Sequence, residues 1–565
     1  MTAQTRPAEI SAPLDLLLTE STRGLAGRMT PNRSWARLGA SLARQPRTVA
    51  GRVGGLSREL VSIAAGTSRR APVGADKRFS DPAWRGNPLM RRTVQAYLAS
   101  ADTAERLLAD AELNWRDREQ MRFVLDNVIE ALAPSNSPLL SPLGWKALID
   151  TGGLSALRGL KAFARDMAAE PRVPAMVEPD AYTVGETIAL SEGAVVLRTP
   201  VFELIQYAPR TPTVRQVPML LIPPVINKYY IMDIAPGRSM VEYFVGQGQR
   251  VFVVSWRNPT AQQRDWGLDR YGAAIVDALE AVRAICGTAG AHLFATCSGG
   301  ILAAMVAAHL ADIGEGDKIA GLTLAVTVLD QSRAGFASAA MSEQSARAAI
   351  RTSERKGYLD GRALAEVFAW LRPTDLVWRY WVNNYVQGRP PAPFDVLYWN
   401  ADTTRMTAAL HRDMVLMGLH NSLTTPGAVS VLGTPVDLGK ITADAYVIGG
   451  VADHICPWQA TYRSARLLGS RADSDITYVL SSSGHIASLV NPPGNPKATF
   501  RAGPVQDITA DEWAARTPCR DDSWWPHHAA WIAERSGPLV DATETLGGER
   551  FPPLAPAPGS YVHEK

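Results

Sequence analysis

Residues 291–305 read AHLFATCSGGILAAM, and this stretch decides the fold. Apolar and small residues lead up to Cys297, two glycines follow almost at once, and an alanine-rich amphipathic run comes next. Such an order predicts a strand, a sharp turn and a helix. Cys297 stands at the turn, so we expect the chemistry of the protein to be located there.

The turn follows the pattern small-x-nucleophile-x-Gly, from Ala295 to Gly299. A turn of this kind, between a strand and a helix, presents a nucleophile on a strained backbone above a sheet. Ala295 stands where Gly is usual, which narrows the allowed backbone geometry. The N–H of Ser298 begins the predicted helix, where it is expected to lower the pKa of the Cys297 thiol and to bind an oxyanion. For this motif alone, the alternative is a buried structural cysteine.

From residue 185 onward, short β-rich runs alternate with helical patterns. The runs are AVVLRTPVFELIQYA, VPMLLIPP, RVFVVSW, AHLFATC, LTLAVTVLD, AYVIGG and ITYVLSS. Strands separated by helices predict a mostly parallel sheet with helices on both faces. Together with the turn at Cys297, this pattern predicts an α/β-hydrolase fold.

Other segments are expected to surround this sheet. Residues 1–180 carry apolar positions at helical spacing, which predicts a mostly helical N-terminal domain. Residues 181–565 form the predicted catalytic domain. Within it, residues 331–440 are too many for a simple crossover and predict an inserted cap (lid) over the active site. The Pro-rich end of the chain is expected to be loose.

Nucleophilic catalysis by Cys297 needs a base and an orienting acid, and on this fold they follow in the order nucleophile, acid, histidine. Asp453 follows the strand in AYVIGGVADHICPW, and His485 follows the strand in ITYVLSSSGHIASLVNPP. We therefore expect Cys297, Asp453 and His485 to converge. Asp330, at the end of LTLAVTVLD, is a rival acid. His454 is a rival histidine, but successive residues point apart, so we expect a supporting role for it at most.

A second oxyanion donor is expected in the loop after an earlier strand. That loop lies within LLIPPVINKYYIMDIAPGRS, where the backbone N–H of Val225 or Ile226 is the candidate. Pro223 and Pro224 have no N–H to donate. The alternative is an ordinary proline turn.

Composition gives little indication of partners. Lys and Arg total 58 against 55 for Asp and Glu, so a net charge of +3 offers no argument for nucleic acid or an anionic membrane. The four cysteines (Cys286, Cys297, Cys456 and Cys519) have no CxxC spacing, and nothing resembles a His-rich metal site. Apolar runs are interrupted by charge before a membrane-spanning length. We therefore expect a cytoplasmic protein without a metal, a nucleic-acid partner or a transmembrane segment.

The sequence resembles the polyhydroxyalkanoate synthases, which polymerise (R)-3-hydroxyacyl-CoA thioesters. The matching strings, in the order of the family, are PPVINKYYIMD, VFVVSWRNPT, QQRDWGL, ATCSGG, LYWNADTTRM, GGVADHICPW, SGHIASLVNPPGNPK and SWWPHHAAW. They span residues 185–535, and the pattern is most similar to the single-subunit synthases associated with medium-chain monomers. The match is far less specific over the N-terminal 180 residues.

The resemblance implies a role for each residue of the predicted triad. Cys297 would accept the acyl group, His485 would be the general base, and Asp453 would be its partner, while Asp453 or His485 would assist deprotonation of the 3-hydroxyl. It also implies release of CoA, no cofactor beyond the CoA of the substrate, and a cytoplasmic homodimer. That dimer would lie at the surface of polyhydroxyalkanoate granules with granule-associated proteins, and the N-terminal helices would serve dimer contact and granule association.

A thiol suits this chemistry because acyl transfer from CoA to Cys297 exchanges one thioester for another and keeps the acyl group activated. The aromatic-rich cap is expected to exclude water, which competes as an acceptor. Candidates for lining the substrate pocket are Trp256, Thr327, Tyr398, Trp399 and Asn400. For any single aromatic residue, core packing is the stronger expectation. Two rival functions remain: a thioesterase or depolymerase-like hydrolase with the same triad, and a non-catalytic granule scaffold.

Overall fold

The computed structural model describes residues 18, 33–74, 76–168, 170–332, 343–371, 373–453, 455–543 and 545–565. His454, the rival histidine, lies outside these residues. Contacts divide the chain into a catalytic unit (residues 1–22, 179–361 and 394–565) and a helical unit (residues 23–178 and 362–393). The region expected to be the cap, 331–440, thus contributes to both units.

Within the described residues, the catalytic unit is built on an eleven-stranded sheet. In chain order its strands are β1 (Gly193–Arg198), β2 (Phe202–Tyr207), β3 (Met219–Ile222), β4 (Val251–Trp256), β5 (Ala291–Thr296), β6 (Ile319–Ala325), β7 (Ala445–Gly450), β8 (Ile476–Ser481), β9 (Phe500–Pro504), β10 (Cys519–Arg520) and β11 (Ala555–Pro556). Across the sheet the order is β10-β9-β8-β7-β6-β5-β3-β4-β2-β1-β11.

The six central strands, β4, β3, β5, β6, β7 and β8, are parallel, and the strands on either side are antiparallel. Ala295 of β5 lies opposite Ile222 of β3 and Leu324 of β6, and Ile448 of β7 lies opposite Val479 of β8. Strands β3, β4, β5 and β7 are buried along their whole length, as their continuous apolar runs require. This register brings the segments that follow β3, β5, β7 and β8 to one edge, where ligands bind in such sheets.

The described helices of the catalytic unit accompany these strands. They are α8 (Met240–Gly246), α9 (Leu268–Cys286), α10 (Cys297–Asp312), α11 (Glu343–Lys356), α13 (Asp395–Ala401), α14 (Ala408–His420), α15 (Trp458–Ala465), α16 (His485–Leu489), α17 (Ala510–Arg516) and α18 (Trp524–Ala533). Helix α10 is buried on almost every side, so its Gly and Ala content allows close packing against β5 and β6.

Short elements complete the catalytic unit. Two-residue and three-residue strand pairs join Ser430–Val431 with Thr434–Pro435, Thr213–Arg215 with Leu539–Asp541, and Tyr358–Leu359 with Met406–Thr407. Single 3₁₀ turns lie at Tyr229–Asp233, Ala261–Gln263, Gly316–Lys318, Ser422–Thr424, Leu438–Lys440 and Tyr561–His563.

The helical unit contains α1 (Arg33–Ala43), α2 (Pro46–Ala65), α3 (Ala83–Gly86), α4 (Pro88–Asp110), α5 (Trp115–Ala131), α6 (Pro142–Asp150), α7 (Leu154–Ala168) and α12 (Gly361–Leu371). It also contains 3₁₀ turns at Lys77–Phe79 and Pro134–Asn136 and π-type turns at Thr374–Trp378 and Trp381–Val386. Phe79, Trp84 and Val94 form a buried cluster in this unit. No helix among the described residues has both the length and the apolar character needed to cross a membrane.

Aromatic residues of the predicted cap pack inside the helical unit. Trp381 meets Trp378 and Tyr385 with ring centroids 5.5 and 5.1 Å apart, and Phe163 of α7 packs edge-on against both Trp381 and Tyr385. The Trp381 indole N–H also donates to the carbonyl of Asn136 at 3.0 Å. Trp378, Trp381 and Tyr385 are half-buried and Phe163 is 37% exposed, so these rings form a partly exposed aromatic cluster.

The expectation of a loose C-terminal end is wrong. Strand β11 pairs with β1 at the edge of the sheet. The Glu203 carboxylate, fully buried, accepts hydrogen bonds from the backbone N–H groups of Ser560 and Tyr561 and from the Ser560 hydroxyl at 2.7–2.9 Å. Lys228, also buried, donates to the carbonyl of Glu564 at 2.7 Å. The proline content of the C-terminal segment predicted a loose loop, but the hydrogen bonds with Glu203 and Lys228 hold this loop in place.

Candidate active site

Cys297 lies at the junction of β5 and α10. Its backbone φ is +49°, in the left-handed region that non-glycine residues rarely adopt. A strained backbone conformation is retained where the surrounding structure enforces it. At this turn, neighbouring parts of the chain lie very close to the residues that follow Cys297. A Cβ atom on Gly299 would meet the carbonyls of Pro223 and Ile222, and one on Gly300 would collide with Thr327. The two glycines are therefore required by the approach of neighbouring chain.

Asp453 and His485 are brought together from the segments that follow β7 and β8. Nδ1 of His485 donates to Oδ2 of Asp453 at 2.8 Å. Oδ1 of Asp453 accepts the backbone N–H groups of Ile455 and Cys456, each at 2.8 Å, which fixes the carboxylate. His485 is the first residue of α16, and its pKa is raised by Asp453 and by Cys297. The structure thus joins Asp453 and His485 by a hydrogen bond, and Cys297 is the third group whose charge acts on the imidazole.

The pKa shifts of Cys297 and His485 favour a charged pair of these two side chains. A hydrogen bond from Cys456, and then the hydrogen bond and positive charge of His485, lower the pKa of Cys297, although burial opposes the shift. Burial would by itself lower the pKa of His485, but the Asp453 carboxylate and the Cys297 sulfur raise it. A nucleophilic thiolate beside an imidazolium is the arrangement that these directions favour.

Asp330, the rival acid, has other partners. Its carboxylate accepts the backbone N–H of Ser332 at 2.8 Å, the amide of Asn421 at 3.0 Å and the guanidinium of Arg463 at 3.2 Å. Burial opposes ionisation of Asp330, but the Ser332 contacts, Asn421 and Arg463 together lower its pKa. These contacts join the end of the β6 segment to α15, which is a structural task.

The loop after β3 lies against the start of α10. The N–H of Val225 donates to the hydroxyl of Ser298 at 3.1 Å, and the carbonyl of Val225 accepts from the Thr404 hydroxyl at 3.2 Å. Ile226 is buried in the same loop, and its carbonyl accepts from the N–H of Thr404. The backbone N–H of Ser298 is among the causes that lower the pKa of Cys297. The loop that holds Val225 and Ile226 therefore lies against Ser298, the residue that follows Cys297.

Two of the expected pocket-lining residues hold this loop. The indole N–H of Trp256 donates to the carbonyl of Pro223 at 3.0 Å, and that of Trp399 donates to the carbonyl of Lys228 at 2.7 Å. Both tryptophans are buried. Tryptophan suits these two positions because its ring is buried while its indole N–H donates to a backbone carbonyl.

The other expected lining residues differ in setting. Thr327 is buried beside the turn, with its hydroxyl 3.4 Å from the carbonyl of Cys297. Tyr398 is half-buried and packs edge-on against Tyr182, with ring centroids 5.5 Å apart. Asn400 is half-buried on α13. Of the three, Thr327 is the one with a described contact to Cys297, through the Cys297 carbonyl.

Comparison with known proteins identifies the family. Poly(3-hydroxyalkanoate) polymerases 1 and 2 of Ectopseudomonas oleovorans are 43% and 42% identical to this chain, each over 92% of both chains. The poly(3-hydroxyalkanoate) polymerase subunit PhaC of Cupriavidus necator is 35% identical over 87% of this chain and 83% of its own. The chain belongs to the polyhydroxyalkanoate synthase family. Members of this family are acyltransferases.

Two family descriptions match successive parts of the synthase. Residues 75–244 match the N-terminus of poly-beta-hydroxybutyrate polymerase (PhaC), and residues 229–492 match the alpha/beta hydrolase fold. The second match and the sheet topology confirm the predicted fold. Among solved structures, a monoacylglycerol lipase from Paleococcus ferrophilus aligns with 59% of this chain and 99% of its own, at 13% identity and a TM-score of 0.33, which is too distant to bear on function.

Sequence reasoning missed one residue of the candidate site, Cys456. It is buried, and hydrogen bonding with Cys297, burial and the Asp453 charge raise the pKa of its thiol. Among the described residues, Asp453, Cys456 and His485 are a set whose metal-ligand type atoms all lie within 4.8 Å of one another. The Asp453 carboxylate of this cluster is already engaged by three hydrogen bonds. The feature of the sequence that could have identified Cys456 is its position three residues after Asp453, in the same loop.

Proposed function

We propose that this protein polymerises (R)-3-hydroxyacyl-CoA into polyhydroxyalkanoate and releases CoA, with Cys297 as the covalent acyl carrier. His485 is the base and acid, and Asp453 orients it. The observation that supports this most directly is the 2.8 Å hydrogen bond between His485 and Asp453, together with the lowering of the pKa of Cys297 by His485. Membership of the synthase family supports polymer formation as the overall reaction.

Loading begins with the Cys297 thiolate and the His485 imidazolium. The sulfur attacks the thioester carbonyl of the substrate, and the negative oxygen that develops is stabilised by the N–H groups of Ser298 and Ile226. The carbon–sulfur bond to CoA then breaks, and CoA leaves with the proton of His485. One thioester replaces another, so the acyl group keeps its reactivity toward an alcohol.

Elongation transfers the acyl group from sulfur to oxygen. The 3-hydroxyl of a second acyl unit gives its proton to His485 and attacks the Cys297 thioester. The new oxoester bond forms, the bond to Cys297 breaks, and Cys297 leaves as a thiolate beside the imidazolium. We assign the proton transfer to His485 because Asp453 already accepts three hydrogen bonds.

Water is the competing acceptor, and the hydrolase is the rival function. The residues Cys297, Asp453 and His485 are each only 6–8% exposed, which supports a reaction protected from bulk water. CoA entry then requires motion of the residues that cover the site. We expect no cofactor besides the CoA that the substrate brings and the reaction releases.

The setting of the enzyme is part of the proposal. Helices α6 and α7 and the turn before them expose apolar side chains: Leu139, Ile149, Leu154, Leu157 and Leu160. A large exposed apolar surface favours contact with another apolar surface, here that of the polyester granule with its associated proteins. The resemblance suggests a homodimer in the cytoplasm, bound to that granule surface.

A substrate series tests the proposed reaction. Purified protein is offered (R)-3-hydroxyacyl-CoAs of increasing chain length while free thiol and turbidity are recorded together. The expected result is CoA release with a parallel rise in turbidity, fastest with medium-length chains. Thiol release that yields only small soluble acids would identify the hydrolase instead, and polymer yield unchanged by Cys297→Ala would identify the scaffold.

A further inference from the structure

We propose that Lys228 is a positioning residue: its buried ammonium ties the loop after β3 (residues 223–228) to the C-terminal residues and thereby holds the Ile226 N–H in place for the oxyanion. The proposal deepens the proposed function and rests on the use of this loop as a source of oxyanion donors. No step of the mechanism above has used Lys228.

The two candidate donors of this loop differ in their partners. The N–H of Val225 donates to the Ser298 hydroxyl at 3.1 Å. Among the hydrogen bonds between described residues, the N–H of Ile226 has no acceptor. The carbonyl oxygens of both residues accept from Thr404, from its hydroxyl at 3.2 Å and from its N–H at 3.3 Å. Ile226 is therefore the residue of this pair whose N–H is free to bind substrate.

Lys228 follows Ile226 by two residues and is held at two points. Its backbone carbonyl accepts the indole N–H of Trp399 at 2.7 Å. Its ammonium donates to the carbonyl oxygens of Glu564 at 2.7 Å and Tyr561 at 3.4 Å. Because its main chain and its side chain are bound by different segments, Lys228 restricts the movement of the loop that contains Ile226.

The ammonium of Lys228 occupies an unfavourable environment for a charge. Lys228 is only 3% exposed, and its described hydrogen-bond acceptors are neutral carbonyls. Lysine is rarely buried to this extent without a paired carboxylate. The nearby Asp402 carboxylate accepts from the Tyr230 hydroxyl at 3.0 Å and from Lys565 at 2.9 Å. A methionine would fill similar space without a buried charge, so the lysine indicates a specific task.

The C-terminal residues that receive this ammonium are themselves fixed. The Glu564 carboxylate pairs with the Arg257 guanidinium at 3.2 Å and accepts the N–H of Asn258 at 3.1 Å. The same guanidinium lies over the ring of Tyr561, 4.4 Å from its centroid. Arg257 and Asn258 directly follow β4, a buried strand of the sheet. Lys228 therefore links the loop after β3 to a segment that is anchored on the neighbouring strand.

The strength of this link depends on the charge of Lys228, because a charged donor forms the stronger hydrogen bond. Burial lowers the pKa of Lys228 to about 8, although the Asp402 and Glu564 carboxylates oppose the shift. The described titratable groups around it are Asp402 and Arg405 from the segment after α13, Glu564 and Lys565 from the C-terminal residues, and Tyr230 beside Asp402. Lys228 is thus charged below this pKa and becomes neutral as the pH rises through it.

The test compares the pH profiles of four proteins: the unaltered chain, Lys228→Met, Lys228→Arg and Lys440→Met. Lys228→Met keeps an unbranched side chain without a charge, and Lys228→Arg keeps a charge that is not lost at any working pH. Lys440→Met is the matched control, because Lys440 is an exposed lysine that bonds to Asp312. CoA release is measured at several substrate concentrations between about pH 6 and about pH 10, a range that covers perturbed lysines.

We expect kcat at neutral pH to fall about 10- to 100-fold in Lys228→Met, as misplacement of a catalytic donor predicts. KM should stay within about threefold, since the oxyanion develops only in the transition state. In the unaltered protein and in Lys440→Met, kcat should decline as the pH rises through about 8. Lys228→Arg should keep most of kcat at neutral pH and lack this alkaline decline.

An unchanged kcat in Lys228→Met, or an effect on KM alone, would overturn the proposal. So would an alkaline decline that persists in Lys228→Arg, because another group would then cause it. Circular dichroism checks that each variant folds, and if neither Lys228 variant folds, absence of the alkaline decline in the unaltered protein would still overturn the proposal. The assay counts released thiol, so a hydrolase would fail the turbidity test of the proposed function and still show these effects of Lys228.

Discussion

Nδ1 of His485 and Oδ2 of Asp453 lie 2.8 Å apart, although the two residues are separated by 32 positions in the chain. A carboxylate can only accept, so Nδ1 carries the proton and the opposite nitrogen, Nε2, is left for Cys297. Asp453 thereby sets both the tautomer and the orientation of the imidazole.

Asp453→Asn is expected to lower kcat by about 10²- to 10⁴-fold, because an amide can present its N–H₂ to Nδ1 and favour the wrong tautomer. Its loss of negative charge also removes a cause of the raised pKa of His485. CoA release under saturating substrate measures the effect. Folding is checked by circular dichroism.

The matched variant is Asp330→Asn, at the other candidate acid. Asp330 bonds to Ser332, Asn421 and Arg463, so the expected loss is in stability, with kcat of the folded protein within about threefold of the starting value. A large loss of kcat in Asp330→Asn, with Asp453→Asn almost fully active, would reverse the assignment of the acid.

Gly299→Ala is expected to destabilise the protein by about 1–3 kcal/mol, the usual cost of overpacking a close contact. The added Cβ would meet backbone carbonyls, including that of Ile222 at 2.7 Å, which cannot rotate away as a side chain could. Displacing the turn also moves Cys297, so CoA release should fall. Thermal unfolding and CoA release measure the two effects.

Gly54→Ala is the control for this change. Gly54 lies within α2, and a Cβ built there meets nothing within 4 Å. We expect a gain of up to about 1 kcal/mol from the better helix propensity of Ala, with activity unchanged. If Gly299→Ala were as stable and active as Gly54→Ala, the close approach of β3 and α10 would not constrain the turn.

Glu203 is expected to make stability depend on pH in the acidic range. Burial alone would raise its pKa, but the N–H of Tyr561, the hydroxyl and N–H of Ser560 and the guanidinium of Arg198 hold that pKa below its ordinary value of 4.5. A carboxylate whose pKa is depressed on folding stabilises the protein above its unfolded pKa, and this contribution is lost as the pH falls through the folded pKa.

Glu203→Gln should therefore unfold at a lower temperature than the unaltered protein at neutral pH, by an amount equivalent to about 1–3 kcal/mol. The difference should shrink as the pH is lowered below about 4.5, where Glu203 is protonated in the unfolded chain, and should vanish once the pH passes below the depressed pKa of the folded state. Differential scanning calorimetry of both proteins across this range makes the comparison. A difference that stays constant with pH would show that the charge of Glu203 does not stabilise the fold.

Much of the fold follows from local patterns in the sequence. The continuous apolar runs of β3, β5 and β7 predict buried parallel strands, and chain order predicts which loops share an edge with Cys297. The proximity of Asp453 and His485 could be anticipated because a parallel sheet aligns the ends of its strands.

Other features depend on contacts between distant residues, which single-sequence patterns do not encode. Cys456 has no motif of its own, and only the fold brings its sulfur within 4.8 Å of the side chains of Asp453 and His485. The C-terminal residues look like a proline-rich loop, yet Glu203, about 360 positions earlier, anchors them. The sequence offered Trp256 and Trp399 as candidates for lining the substrate pocket. Their hydrogen bonds to the loop after β3 are evident only in the folded chain.

The most direct test of the central claim is to trap the acyl-enzyme. The protein is mixed with (R)-3-hydroxyacyl-CoA, quenched in acid, digested at low pH to preserve thioesters, and analysed by peptide mass spectrometry. We predict a 3-hydroxyacyl or oligomeric adduct on Cys297, formed with release of CoA and absent in Cys297→Ala. Polymer formed with the acyl group on another residue, or with Cys297 never acylated, would contradict the account.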